Sequence, residues 1–511
     1  MAASPRRPRL SLLGLSAIIY YSVSGGPYGA EDAVSSAGPL LSLAGFLVMP
    51  LVWSLPEALI TAELATTFPS NAGFVEWVTA AFGPFWGFQE GFLSWISSVA
   101  DAALYPVLFR QYLVQLWPNM SGGISGQIFV AAVTLLMGGL NFAGLSIVGW
   151  VAFLLAGFVL SPFVYMVVVG VPQISMTRLL VSPPVSEVAW SDFLNLGRVR
   201  RTVESSVRAA RAALTGANCL FWNLNYWDTA STLAGEVQDV STTYPKALGV
   251  AMVAVVLSYF LPLLVGLGIS GATSDWRNWQ DGEFALMGRR LGGSILESWV
   301  ITGAAVSCLG QQLSEMAEAA FQLQGMAEDG WLPTCFAHRS RFDTPSLPLA
   351  VITVLVLVLS VFSSFNAIIN MLNSVYCVAQ VIEFSAFLHL RRKHDDLERP
   401  FRVPCRSLAA CCLLLLMPFA FCLVLLVMPF VRGDWFQVAS LLGSILLGLL
   451  LYHLLELSRR RGWLTFYRCP PGGLEDILAQ RPNESLWDDA NDTQALPLSW
   501  RAELSQSLGR L

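Results

Sequence analysis

The chain has 511 residues, of which 55% are hydrophobic and only 13% are charged. Ordinary soluble domains carry about 25% charged residues, and a soluble chain of this length would divide into several domains. Apolar runs of about 20 residues, the length that spans a bilayer, recur along this sequence instead. The composition therefore excludes a soluble globular protein and predicts an all-α polytopic membrane protein. The net charge of −5 adds little, because the acids are spread over loops, tail and membrane.

Twelve transmembrane helices are predicted between a cytosolic N-terminus (residues 1–10) and a cytosolic C-terminal tail (residues 458–511), which we expect to be loosely ordered from Gly462 onwards. The spans are 11–37, 40–66, 85–114, 126–142, 146–171, 213–238, 246–270, 292–322, 347–364, 366–390, 407–430 and 436–457. This orientation puts most arginines and lysines of the short connections in the cytosol. The basic segment 198–211 opposes it, because the long loop that contains it is then external.

The first span is interrupted at Ser24-Gly25-Gly26-Pro27-Tyr28-Gly29. Glycine costs a helix about 1 kcal/mol and proline about 3 kcal/mol, so this stretch predicts a break. Two carboxylates, Glu31 and Asp32, follow at once inside the hydrocarbon region. Such a segment is stable in lipid only if its backbone groups and charges face protein or a water-filled cavity.

The sixth span contains a second polar interruption, Trp222-Asn223-Leu224-Asn225-Tyr226-Trp227-Asp228. Interrupted helices at matching places in two five-span halves are typical of inverted repeats with the substrate site between them. We therefore predict repeat one at 11–171, repeat two at 213–390 and peripheral helices at 407–457. The alternative is two unrelated polar kinks in a channel or a membrane enzyme.

Several segments resemble the amino acid–polyamine–organocation transporters, and most closely their plant and protist polyamine-uptake branch. The most specific is Phe221-Trp222-Asn223-Leu224-Asn225-Tyr226-Trp227-Asp228. The first-span motif Ser24 to Asp32 is similar, as are Asp101-Ala102-Ala103-Leu104-Tyr105-Pro106 and Arg399-Pro400-Phe401-Arg402-Val403-Pro404. The resemblance covers about residues 11–457.

This resemblance implies the leucine-transporter fold, with spans 1–5 and 6–10 inverted, spans 11 and 12 peripheral, and helices 1 and 6 broken. It also implies alternating access and proton-coupled uptake of putrescine or spermidine, most simply at the plasma membrane. The sequence departs from the branch in span eight, where plant members place an acid two positions before Glu315. The basic segment 198–211 resembles an insertion.

The residue types favour a cationic substrate. A polyamine needs separated carboxylates with aromatic faces between them, which combine charge-assisted hydrogen bonds with cation–π contact. An α-amino acid also needs donors for its carboxylate, and Pro27 removes one while Glu31 and Asp32 would repel it. The alternative function is a cationic or broad-range amino acid transporter or exchanger on the same fold.

Candidate residues are taken from the two breaks and from one polar face of span three, on which Ser94, Ser98, Asp101 and Tyr105 recur at helical spacing. The predicted substrate-binding residues are Gly25, Gly26, Glu31, Asp32, Asp101, Tyr105, Trp222, Asn223, Asn225, Tyr226, Trp227 and Asp228. For Asp101 and Asp228 the alternative is a structural acid that caps backbone N–H groups of a broken helix. One of Glu31 and Asp32 is expected to contact substrate, and the other to carry a proton or brace the break.

The candidates for gating or proton coupling are Glu57, Glu63, Glu236 and Glu315. Glu63 and Glu236 fall at predicted cytoplasmic helix ends, where both gate salt bridges and helix capping explain an acid. Glu57 lies deeper in span two.

Other functions lack their signatures in this sequence. No Cys/His cluster, H-E-x-x-H motif or P-loop is present, so we expect no metal site, no cofactor and no enzymatic activity. No nucleic acid partner is expected. Asn119 is a candidate glycosylation site in the predicted external loop after span three, and that loop has no cysteine for a disulfide-linked glycoprotein partner. The predicted partners are a small cation, protons and the lipid bilayer.

Overall fold

The computed structural model describes residues 10–117, 123–181, 220–269, 276–280, 282–362, 365–405 and 407–480; the side chains of Asp32, residues 362–371 and Arg432 are excepted. Within these ranges the chain is helical and contains isolated β-bridges but no strand. Eight helical segments of the described residues are long and apolar enough to cross a membrane, and two of them, Ala33–Thr67 and Pro84–Leu116, each join two of the helices named below. Leu12–Val23 and Ser346–Val361 are shorter apolar helices. The predicted all-α membrane class is confirmed.

The helices are α1 (Leu12–Val23), α2 (Glu31–Met49), α3 (Leu55–Thr67), α4 (Phe74–Phe82), α5 (Pro84–Ala102), α6 (Tyr105–Leu116), α7 (Gly123–Ala143), α8 (Leu145–Gly170), α9 (Met176–Leu179), α10 (Val240–Gly268), α11 (Glu283–Glu328), α12 (Ser346–Phe362), α13 (Phe365–Lys393), α14 (Leu408–Arg432), α15 (Trp435–Arg461) and α16 (Leu474–Gln480). One turn of π-helix, Pro50–Ser54, joins α2 to α3. Gly38, at φ 80°, interrupts α2 where the first predicted span ends and the second begins.

The first predicted break is confirmed. Helix α1 ends at Val23 and α2 begins at Glu31. Between them Gly26 and Gly29 have φ values of 105° and 82°, which only glycine adopts without strain.

The second predicted break is confirmed in its described part. The chain is helical up to Trp222, irregular from 223 to 228, and forms a 3₁₀ helix over Thr229–Glu236. Tyr226 lies in this irregular stretch at φ 68°, a left-handed conformation that is uncommon for a bulky residue. Backbone strain of this kind is concentrated at functional sites, where the surrounding structure holds it.

The two broken segments lie inside the bundle. Helix α1 packs against α8, α10 and α11, while α5 packs against α13. The helices α14 and α15 are more peripheral and expose large apolar side chains such as Leu413, Val431 and Trp435. In a membrane protein this exposure is the expected lipid-facing surface.

The expectation of a loosely ordered chain from Gly462 onwards is wrong for residues 462–480. The Thr334 N–H donates to the Thr465 carbonyl (2.9 Å), and Arg468 bonds Asp329 (2.5 Å). Helix α16 packs on α4 and buries Leu474 and Ile477. These two apolar residues lie three apart and so share one helix face, a signal that the polar average of the tail conceals.

Candidate functional site

The two breaks touch one another. The side-chain amide of Asn223 donates to the Gly29 carbonyl (3.4 Å), and the Tyr259 hydroxyl donates to the Asn223 side-chain oxygen (2.9 Å). A Cβ on Gly29 would lie 3.2 Å from the Trp222 ring, so the rings and backbone of the two segments are in close contact. Asn223 therefore joins the first break, the second break and α10.

Asp101 and Glu315 form a buried pair beside this contact. The Tyr105 hydroxyl lies 2.7 Å from Glu315 Oε1 and 3.2 Å from Asp101 Oδ2, so it bridges the two carboxyl groups. The Trp222 indole N–H donates to Asp101 Oδ1 over 3.4 Å. Four predicted residues from four separate elements, α5, α6, α11 and the second break, are thus brought together. We call Asp101 and Glu315 the acid pair.

A second group of acids lies beyond Tyr226. The Tyr376 hydroxyl contacts both Asp228 Oδ1 (2.5 Å) and Glu57 Oε1 (2.8 Å). Glu383 lies next to Asp228 and Glu90 and interacts with both. We call Glu57, Glu90, Asp228 and Glu383 the four-acid network.

Tyr226 separates the acid pair from the network. Its ring centroid lies 4.3 Å from that of Tyr376, and its backbone N–H donates to the Tyr376 hydroxyl (3.1 Å). Its own hydroxyl lies 3.1 Å from Ser97 Oγ on α5. The unusual backbone conformation of Tyr226 is therefore held from two helices.

Glu31 closes the first break. Its carboxylate accepts the Gly29 N–H (3.0 Å), and it lines a small recess with Tyr28 and Tyr112. Glu31 thus contacts the backbone of the break, and the side chain of Asp32 lies outside the described residues. Gly25 and Gly26 lie in the break itself, and a Cβ on Gly25 would come within 2.2 Å of Gln311 Oε1.

Two other predicted residues of the second break, Trp227 and Asn225, are buried in the core. Trp227 is fully buried, its indole N–H bonds the Leu224 carbonyl (2.9 Å), and its backbone N–H bonds Glu57 Oε1 (2.7 Å). Glu57 thus satisfies a backbone donor that the broken helix leaves unpaired. Asn225 is also fully buried, and both polar atoms of its amide lack a hydrogen-bond partner.

Acid–arginine pairs gather at the end of the bundle where α1 begins, which we call the N-terminal end. Glu63 binds Arg391, lies 3.0 Å from Arg399 Nε, and accepts the Val403 N–H (2.7 Å). Glu236 binds Arg339 (2.5 Å) and the Asn71 amide (2.8 Å). Its backbone carbonyl accepts the Leu10 N–H (2.9 Å), which closes this end over α1.

Comparison with known proteins gives the family. Residues 10–450 match the family model described as amino acid permease. The chain belongs to the amino acid permease family. It is 42% identical to polyamine transporter RMV1 of Arabidopsis thaliana, over 91% of this chain and 90% of that protein. It is also 42% identical to polyamine transporter PUT1 of Oryza sativa subsp. japonica, over 93% of this chain and 83% of that protein. This permease is an integral membrane protein of a transporter family, which points away from an enzyme.

Four site residues of this permease were missed from the sequence: Glu90, Glu318, Tyr376 and Glu383. Each lies on a polar stripe at helical spacing, so a signal was present. Glu90 extends the Ser94–Asp101 face of α5 by one turn, Glu318 follows Glu315 by three residues, and Tyr376 and Glu383 lie seven apart on α13. The Ser22 hydroxyl donates to Glu318 (2.6 Å) and ties α1 to α11.

The interior of the permease is strongly acidic. By whole-residue exposure, Arg391 is the one buried arginine or lysine among the described residues, and it is bound to Glu63. The buried acids of the described residues are Glu31, Glu57, Glu63, Glu76, Glu90, Asp101, Asp228, Glu283, Glu315, Glu318 and Glu383. The acid pair and the four-acid network thus have no arginine or lysine bound to them in the described chain. Asn119 and the basic segment 198–211 lie outside the described residues.

Proposed function

We propose that this permease imports polyamines of the putrescine and spermidine class, coupled to protons, by alternating access. The observation that carries the proposal is the uncompensated acidity around the two breaks. A buried carboxylate without a cationic partner costs several kcal/mol, so groups of this kind require a cation or a proton. A polyamine supplies ammonium groups in the interior of the bundle.

The contacts suggest how a diammonium chain would lie. One ammonium group would bind at the acid pair, where Asp101 and Glu315 are bridged by Tyr105. The methylenes would run past Trp222 and Tyr226, whose aromatic faces attract cations and cover apolar chain alike. The second ammonium group would then approach Asp228. Two carboxyl sites with aromatic rings between them match a substrate with two charged ends.

The first break is poorly suited to the carboxylate of an α-amino acid. In transporters with broken helices, such a carboxylate binds exposed backbone N–H groups. Here the Gly26 N–H bonds Ser24 Oγ (3.1 Å), the Gly29 N–H bonds Glu31, and the Ala30 N–H bonds the Pro27 carbonyl (3.3 Å). Pro27 has no N–H. These three donors are already used, which leaves fewer of them for a carboxylate and supports a substrate without one.

We further propose the twelve-span architecture over residues 11–457, with inverted repeats 11–171 and 213–390, both termini in the cytosol, and residence in the plasma membrane. The N-terminal end is then the cytoplasmic side. The Glu63 and Glu236 ion pairs would hold that side closed and open it once per cycle.

Uptake into proteoliposomes tests the proposal. Labelled putrescine and labelled arginine are offered separately, with and without an inward-directed proton gradient. We expect saturable putrescine uptake that the gradient stimulates. Saturable arginine uptake that putrescine does not inhibit would overturn the polyamine assignment in favour of a cationic amino acid transporter.

A further inference from the structure

The four-acid network has fewer hydrogen-bond donors than its carboxyl oxygens can accept. Among the described residues, the hydrogen donors that reach its carboxyl groups are the Tyr376 hydroxyl, the Trp227 N–H, the Ser94 hydroxyl and the backbone N–H of Asp228 itself. The four carboxyl groups together present eight oxygen atoms as acceptors when ionised. Glu57 Oε2, Glu90 Oε2, Asp228 Oδ2 and Glu383 Oε1 are buried and have no partner. The network is therefore complete only when further protons or cations are bound.

The neutral side chain of Gln380 gives an independent sign that hydrogen-bond donors are too few around the network. Gln380 is fully buried, and its amide nitrogen donates to the Tyr376 hydroxyl (2.9 Å), which places the amide at the network. Its side-chain oxygen has no donor. A buried acceptor of this kind costs about 1–3 kcal/mol unless an O–H or N–H group reaches it. Bound protons on the neighbouring carboxyl groups would supply O–H donors.

The carboxyl groups of Glu90 and Glu383 receive the fewest hydrogen bonds of the four. Glu57 and Asp228 are held by Tyr376, and Glu57 also by a backbone N–H. Glu90 receives one hydrogen bond, from Ser94 (2.7 Å), and no N–H or hydroxyl group of the described residues donates to Glu383. The two carboxyl groups contact each other. Two neighbouring carboxylates in a dry interior repel each other strongly, which favours a proton on one of them.

The surroundings of the pair are acidic or neutral on every side described. Asp228 faces it from the second break and Glu57 from α3. Tyr376 faces it from α13, the helix that carries Glu383, and Tyr244 from α10. Glu318 on α11 faces Asp228. Within the described chain no arginine or lysine forms a salt bridge with Glu90 or Glu383. The next basic residue on α13, Arg391, is bound to Glu63.

Polar groups connect the pair to the substrate site. Along one face of α5, Glu90 is followed by Ser94, Ser97 and Asp101 at helical spacing. Ser94 bonds Glu90, and Ser97 bonds the Tyr226 hydroxyl next to the acid pair. An ammonium group at Asp101 and a proton at Glu90 would therefore be coupled over one short, continuous polar face.

We propose that Glu90 and Glu383 form the proton-binding site that couples polyamine uptake to the proton gradient. This inference rests on the proposed function. A proton from the outer side binds one carboxylate oxygen of the pair and forms an O–H bond while the ammonium groups occupy Asp101 and Asp228. After the permease opens to the cytoplasm, the same O–H bond breaks and the proton passes to water on that side. No electron moves, and the carboxylate is regenerated.

The test compares wild type with Glu383→Gln and Glu90→Gln in proteoliposomes. Gradient-driven putrescine accumulation should fall at least tenfold, because the neutral amide cannot exchange a proton. Putrescine counterflow at equal pH on both sides should stay within twofold of wild type, since that exchange needs no net proton movement. Acidification of the lumen on putrescine addition, followed with internal pyranine, should disappear.

Matched variants keep the result interpretable. Glu383→Asp retains a titratable carboxyl group and should recover part of the gradient-driven accumulation. Glu297→Gln changes a remote acid that pairs with Arg289 (3.5 Å) and should behave as wild type. If Glu383→Gln does not give monodisperse protein, Glu90→Gln and Ser94→Ala address the same site from α5.

Two results with the variants would overturn the inference: wild-type accumulation and acidification in both Gln variants, or parallel loss of accumulation and counterflow in well-folded protein. A wild type that carries putrescine without any effect of the proton gradient would also overturn it while leaving polyamine transport intact. A wild type that does not carry putrescine would overturn the proposed function instead.

Discussion

The acids of this permease fall into two regions that differ in what neutralises them. At the N-terminal end, Glu63, Glu236 and Asp329 each bind an arginine. In the interior, the acid pair and the four-acid network are buried among tyrosine, tryptophan and other carboxyl groups. A carboxylate with a fixed arginine is already satisfied and can stabilise or gate the structure. Under the proposed function, a carboxylate without one binds a mobile cation, and this difference separates structure from transport.

The contrast between acids with and without a bound arginine predicts the largest loss of transport at Asp101. Asp101→Asn keeps the size of the side chain and removes the charge that an ammonium group needs. Loss of one partner from a buried, hydrogen-bonded charge pair costs about 2–5 kcal/mol, which is roughly thirty-fold or more in affinity. We expect putrescine uptake to be abolished while the protein still reaches the membrane, as checked by surface labelling.

The matched control for this substitution is Asp434→Asn. Asp434 accepts the Gln437 N–H (3.1 Å) at the start of the peripheral helix α15, and asparagine also serves well as a helix cap. Putrescine uptake by the Asp434→Asn variant should equal that by the wild type. Asp32→Asn should behave like Asp101→Asn if Asp32 contacts substrate; normal transport in both variants would place the cation elsewhere.

The next effect is on stability, at Glu63. Glu63→Gln leaves the buried side chains of Arg391 and Arg399 without their counter-charge. Breaking a buried ion pair by removing one partner typically costs about 3–5 kcal/mol. We expect a clearly lower midpoint of thermal unfolding in detergent and less protein in the membrane.

The exposed pair at the same end gives the control. Arg402 and Asp395 lie 2.5 Å apart, with 51% and 72% of their side chains exposed. Surface pairs contribute about 0–1 kcal/mol, so Arg402→Gln should leave the unfolding midpoint nearly unchanged. Equal effects of the two substitutions would contradict the structural role of Glu63.

The sequence alone located both breaks, because glycine next to proline and asparagine in an apolar span are costly choices that demand a reason. It also brought Asp101 and Tyr105 onto one face, since helical spacing alone decides that. It could not join Asp101 to Glu315, or Asp228 to Glu57, because those contacts depend on how distant helices pack. Trp227 shows the same limit: its place in the break is visible in the sequence, but its burial in the core is set by three-dimensional packing.

A smaller effect is expected at the Glu236–Arg339 pair, whose side chains are 21% and 25% exposed. Glu236→Gln should weaken the closed N-terminal end by about 1 kcal/mol, which, if that end faces the cytoplasm as proposed, shifts the ratio of inward- to outward-facing protein about fivefold. The half-saturation concentration for external putrescine should rise by up to about that factor, because fewer molecules face outwards. Uptake measured over a range of putrescine concentrations gives this value.

Asp343 provides the comparison for that gate. It is the weaker partner of the same arginine, 3.6 Å from Arg339 Nη1 and 45% exposed. Asp343→Asn should leave the half-saturation concentration unchanged. A Glu236→Gln variant with an unchanged half-saturation concentration and a lower unfolding midpoint would assign the pair to stability rather than to gating.

The smallest effect is a pH dependence at Asp329, where arginine pairing and burial act against each other. Burial raises the pKa of Asp329 to about 6, although Arg468 lies 2.5 Å away and opposes the rise. The ordinary pKa of aspartate is about 3.9, so the folded state binds this proton more tightly than the unfolded state does. Its stabilising contribution is therefore complete below about pH 4 and is lost as the pH rises through about 6.

Unfolding midpoints of wild type and Asp329→Asn between pH 4 and 7 measure this contribution as a difference. The wild-type midpoint should fall relative to that of Asp329→Asn as the pH rises from about 4, and the offset between the two should become constant above about pH 6. Parallel profiles over the whole range would contradict the prediction. Arg468→Gln removes the charge that lowers the pKa, so its pH-dependent range should extend to higher pH than that of wild type. An acid that already has an arginine would then still titrate because of burial, which strengthens the case that interior acids without one bind protons or cations.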